Sequence, residues 1–107
     1  MGALNGTFFQ TQNSSLRGNE FAIPAGKGAI GFAEFTTSDT AGTVQRGGAE
    51  WSAPSDGYVL VYGDVAHRVA AGETAATGAS PVGHYVPASQ YLPISIRAGQ
   101  TLSAIEA

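Results

Sequence analysis

The strongest hydrophobic pattern is Tyr58-Val59-Leu60-Val61-Tyr62, an aromatic and branched run ended by Gly63-Asp64. Residues of this kind fit both faces of a pleated sheet, so the run predicts a strand. Leu92, Ile94 and Ile96 alternate with Pro93, Ser95 and Arg97, which predicts a strand with one apolar face. Val65, His67 and Val69 share the same period, and Thr101 to Glu106 reads as a short last strand. Upstream, Phe21 and Ile23 flank Ala22 ahead of Pro24, and GAIGFAEF (28–35) alternates again with an irregularity at Gly31. ALNGTFF (3–9) predicts a weak strand broken at Asn5-Gly6, followed by the polar, turn-prone stretch Gln10 to Ser15. Thr36 to Gly48 predicts a loop with at most a short strand around Thr43-Val44-Gln45, and Gly72 to Gly83 a second loop.

Fifteen glycines and five prolines leave no room for a long helix, since each interior Gly costs about 1 kcal/mol and each Pro about 3 kcal/mol there. The expected fold is therefore all-β, a compact antiparallel β-sandwich or jelly-roll-like domain. At 107 residues one domain is expected. It should span 21–107, preceded by an extended N-terminal arm or partly ordered strand over 1–20.

Three corners share one wording: Ile23-Pro24-Ala25-Gly26, Val69-Ala70-Ala71-Gly72 and Ile96-Arg97-Ala98-Gly99. Each predicts a turn whose glycine takes a positive φ. Gly57, after Asp56, marks another turn. The unequal spacing of the three corners excludes a regular solenoid or propeller. They are read as structural turns, with no phosphate-cradling glycine motif around them.

Charge changes the picture more than size does. Charged residues are 12% of the chain, about half the usual ~25%. The net charge is −3, and Arg17, Lys27, Arg46, Arg68 and Arg97 are scattered. No basic stripe exists for phosphate backbones, so no nucleic-acid partner is expected. No apolar window reaches bilayer length, so no membrane partner is expected. The N-terminus lacks the basic and apolar regions of a signal peptide. With no cysteine, thiolate chemistry, disulfides and Cys-ligated metals are excluded. So weakly charged a surface favours association with a partner.

Candidate chemistry is sparse. His67 and His84 are the only histidines, with Asp64 the nearest carboxylate, and no H-x-H pair accompanies them. No serine sits in a GxSxG elbow. No catalytic residue, metal site or cofactor is therefore expected, and the chain is read as a non-enzyme. Aromatics carry more weight. Tyr85 and Tyr91, beside Pro87 and Pro93, are candidate protein-interface residues, together with Pro93 itself and with Phe8 and Phe9 of the arm. Trp51 reads as a core residue, or alternatively as a sugar platform with Tyr58.

Two stretches carry family resemblances. APSDGYV (53–59) with GQTLSAIEA (99–107) resembles, piecewise, biotinyl and lipoyl carrier domains. Those domains require a modifiable lysine after the second stretch, whereas the one lysine here is Lys27, in a different context. The Gly83–Ile105 stretch GHYVPASQYLPISIRAGQTLSAI resembles segments of the small decoration, or cement, proteins of tailed bacteriophage heads. That resemblance implies a β-sandwich homotrimer on the virion capsid surface, made in the host cytoplasm, with the major capsid protein as partner. The expected function is thus a capsid decoration protein that bridges capsid subunits. The alternatives are a carbohydrate-binding or host-recognition β-sandwich module and a small cupin-like metal enzyme.

Overall fold

A computed structural model describes residues 2–16, 19–24, 30–46 and 48–107; for 11–16, 19–24 and 30–35 the description is of the backbone and its pairing. Among the described residues there is no helix. The strands are β1 (Gly2–Leu16), β2 (Asn19–Pro24), β3 (Ile30–Thr37), β4 (Gly42–Thr43), β5 (Gln45–Arg46), β6 (Ala49–Glu50), β7 (Gly57–Gly63), β8 (His67–Ala71), β9 (His84–Val86), β10 (Tyr91–Ile96) and β11 (Leu102–Glu106). The larger sheet runs β10-β7-β1-β2, with β3 also on β1; the smaller runs β4-β11-β8-β9. Every pairing between these strands is antiparallel. The expectation of a compact antiparallel all-β domain holds.

Between the sheets lies one apolar core. Leu4 and Phe8 of β1, Val59 and Val61 of β7, and Ile94 and Ile96 of β10 face Val69, Leu102, Ala104 and Val86 of the smaller sheet. Val44, Trp51 and Ala53, from the connection between β4 and β7, join the same cluster. Phe8 and Trp51 meet at 5.8 Å between ring centroids with planes tilted by 56°. Full burial of a side chain the size of Phe, Leu or Ile stabilises by about 1.5–3 kcal/mol.

Residues 2–10 of the N-terminal segment form a strand that runs through the middle of the larger sheet between β3 and β7. Two local expectations need correction. The stretch Gln10 to Ser15, expected as a turn, continues β1 and pairs with β2 from Thr11↔Pro24 to Leu16↔Asn19. Polar Gln, Asn and Ser resist strand formation only weakly when a neighbouring strand completes their ladder. The irregularity expected at Gly31 lies two to three residues further along, at Ala33-Glu34. Leu4 pairs with Phe35 and Gly6 with Phe32, so β3 carries one extra residue between those partners.

Gly72 and Gly99 adopt φ of +76° and +82°, as their shared wording predicts. Gly26 and Lys27 lie outside the described residues. Gly57 serves differently: a Cβ there would collide with the Phe9 carbonyl and lie 2.9 Å from the Phe8 ring. Its role is close strand approach beside the core.

Candidate interaction face

A strand sends successive side chains to opposite sides, and register then decides which of them meet. Phe9 pairs with Tyr58, Thr7 with Leu60 and Asn5 with Tyr62 across β1 and β7. Across β7 and β10, Tyr58 pairs with Ser95, Leu60 with Pro93 and Tyr62 with Tyr91. Three strands thus present three rows on the outer face of the larger sheet, opposite the core. None of these nine residues is charged.

Two aromatic contacts brace this face. Phe9 and Tyr58 stack at 5.3 Å with planes 25° apart, and Tyr62 and Tyr91 meet at 4.9 Å with planes 45° apart. Each pair adds about 0.5–1.5 kcal/mol beyond area burial. Phe9, Tyr58, Leu60 and Tyr62 are half-buried, while Tyr91 is 65% exposed. Pro93 has no N–H to give a ladder, and β10 is an edge strand, the position where proline is tolerated. Its ring also hinders the addition of a further strand along that edge.

Three of the expected interface residues, Phe9, Tyr91 and Pro93, are therefore brought together, and Tyr58 joins them. Phe8 is not among them: it is buried in the core, because Phe8 and Phe9 are consecutive in a strand and cannot share a face. Trp51 is 6% exposed and packs on Phe8, so it cannot form a sugar platform with Tyr58, which lies on the other side of the sheet. Tyr85, 50% exposed, stands on the smaller sheet opposite Arg68, whose guanidinium lies 5.5 Å from its ring centroid. Leu60 and Tyr62 also stand on this face. The doubly apolar run on β7 carries them in the sequence, but there its outer half is indistinguishable from core.

The histidines do not assemble a metal site. His67 is completely buried, and its Nε2 lies 2.7 Å from the Thr37 hydroxyl. That hydroxyl donates to Glu106 Oε2 at 3.3 Å, and Glu106 Oε2 also accepts from the Gly2 N–H at 2.6 Å. With its proton directed to the carboxylate, Thr37 accepts from an Nε2–H tautomer of His67. Nδ1 is buried without a hydrogen-bond partner and faces Gly63, where a Cβ would collide with it. The imidazole thus ties β3, β8 and β11 together and is closed to solvent. Asp64 Oδ1 accepts from the Ala3 N–H at 2.8 Å. Among the described residues no group of three or more His, Cys, Asp or Glu is arranged to hold a metal ion.

No protein-family model, no curated protein and no solved structure matches this chain.

Proposed function

We propose that this chain is a structural attachment protein that docks through the uncharged aromatic face of its larger sheet, as a capsid decoration protein does on a virion head. The observation carrying this reading is the concentration of Phe9, Tyr58, Leu60, Tyr62, Tyr91 and Pro93 on one outer surface with no charge among its nine positions. Tyrosine-rich, desolvatable patches are where association energy concentrates. The resemblance of residues 83–105 to phage decoration proteins names the kind of assembly, and this stretch supplies Tyr91 and Pro93.

Size bears on the mechanism. Tyr58 and Tyr62 are four residues apart on β7, so the face spans about 13 Å along the strands and about 10 Å across three of them. A stable interface buries about 800 Å² per partner. The aromatic face is therefore the energetic centre of a larger contact, and a homotrimer seated on several major capsid protein subunits supplies the rest.

Light scattering tests assembly: a discrete trimer is expected. Heads of the major capsid protein encoded with this chain test attachment. With the protein bound they should withstand higher temperature, and the Tyr62→Ala/Tyr91→Ser variant should remain folded yet fail to bind. Heads equally heat-stable with and without the protein would overturn the reading.

A further inference from the structure

A second surface, charged where the aromatic face is not, borders that face at Ser95. Where β8 and β10 end, a cleft of about 340 Å³ opens between the Gly72 and Gly99 corners. Its volume lies within the ~300–1,000 Å³ range of small-molecule sites. Ala71 supplies the apolar part of the lining, and the polar groups are Glu73, His84, Ser95, Arg97 and Gln100. The corner wording that reads in sequence as a mere turn thus contributes to a cavity.

The polar groups are not disordered fillers. Gln100 Oε1 accepts from the Arg97 N–H at 2.9 Å, which fixes the carboxamide's orientation. The Gln100 amide nitrogen then rests on Gly72, 2.6 Å from where a Cβ would stand, a contact only glycine allows at that corner. Gly83, on the opposite lip, is held by its carbonyl accepting from Arg68 Nη1 at 3.1 Å. The Arg97 guanidinium and the Glu73 carboxylate make no hydrogen bond or ion pair among the described residues.

We infer that this cleft binds an acidic saccharide unit, a uronate. The planar Arg97 fork suits one carboxylate, with the Gln100 amide and His84 adding donors. Glu73 is an acceptor only, which suits sugar hydroxyls and repels a second negative charge. Ala71, half-buried at the cleft, offers an apolar contact to the C–H face of a pyranose ring. A neutral hexose leaves Arg97 without its counter-charge, and a simple carboxylate leaves Glu73 without a donor. The cleft shares Ser95 with the docking face but none of its aromatic residues, so a Tyr91 variant separates loss of docking from loss of ligand binding.

The test is a titration of the ¹⁵N-labelled full chain with sodium glucuronate, glucose or sodium acetate at constant ionic strength, followed by NMR. Glucuronate should saturate with a Kd on the order of 1 mM, shifting His84, Arg97 and Gln100. Glucose and acetate should each bind at least about tenfold weaker, a gap of about 1.4 kcal/mol. Arg97→Gln should weaken glucuronate by about tenfold or more, and Glu73→Ala should reduce it to the level of acetate. Tyr91→Ser should leave it unchanged. Acetate binding as well as glucuronate would overturn the saccharide assignment in favour of a carboxylate side chain of a protein. Shifts confined to Tyr58, Tyr62 and Tyr91, or no saturable shift at all, would overturn the site itself.

Discussion

The outer faces of the two sheets meet the same demand in opposite ways. On the smaller sheet, Ala70 of β8 and Ile105 of β11 point away from the core, and the chain covers them itself. Ala75 and Val82 of the loop between β8 and β9, with Ala41, pack over them as a second small cluster. That loop is fastened by the Ala75 N–H to the Ser103 hydroxyl at 2.9 Å and by reciprocal bonds between Ala76 and Val82. On the larger sheet, the aromatic residues of β1, β7 and β10 carry more apolar surface, and among the described residues only their neighbours on the same face cover them in part. The contrast between a sheet covered by its own loop and a richer one left partly open is what the proposed docking face rests on.

The comparison is broken most severely inside the β1 strand. Phe8→Ala should cost about 3–5 kcal/mol by urea unfolding, because it empties the core beside Trp51 and Val59. Its neighbour Phe9→Ala should cost about 1 kcal/mol, since it loses only a half-buried stack on the outer face. Equal losses at the two positions would mean that the outer face is as closed as the core. Next comes the covered face: Ile105→Ala should destabilise by about 2 kcal/mol, the low end for such truncations, because its cluster is otherwise mostly alanine. A loss below 0.5 kcal/mol, on the order of a surface substitution, would show that the loop does not seal that side.

The corners give smaller and separable effects. Gly99→Ala meets open space and should cost about 1 kcal/mol from its positive φ alone. Gly72→Ala carries the same backbone strain and also displaces the Gln100 amide, so it should exceed Gly99→Ala by about 1 kcal/mol. Thermal unfolding of the two variants side by side checks the order. Smallest of all, Tyr91→Ser should cost under about 1 kcal/mol of stability while reducing attachment. A large stability loss there would make Tyr91 part of the fold instead of part of a contact.

Much of the architecture was legible because it is local. The alternation of Leu92, Ile94 and Ile96 puts Ile94 and Ile96 in the core and leaves Ser95 and Arg97 outside, as period two requires. The Gly72 and Gly99 turns follow from a residue's own conformational freedom. What escaped is non-local. Phe8 and Phe9 are chemically identical in sequence, and only the Phe8↔Val59 and Phe9↔Tyr58 register sends one inward and the other outward. The aromatic face draws on residues 5–9, 58–62 and 91–95, so no single stretch displays it. His67 is buried with its hydrogen bond supplied by Thr37, thirty residues upstream, a partner that no local pattern reveals. The cleft beside Gly72 and Gly99 was hidden for a similar reason: its lining comes from three separate segments.

The proposed docking requires that a partner cover the larger sheet's outer face, while the smaller sheet's is covered by the chain's own loop. Tyrosine-selective labelling of the chain, free and mixed with heads of the proposed capsid partner, measures this directly, with Tyr85 on the smaller sheet as the internal reference. The expected result is strong protection of Tyr62 and Tyr91 on binding with Tyr85 still modified. Tyr91 labelled as readily on the heads as in free solution, or protection confined to Tyr85, would contradict it.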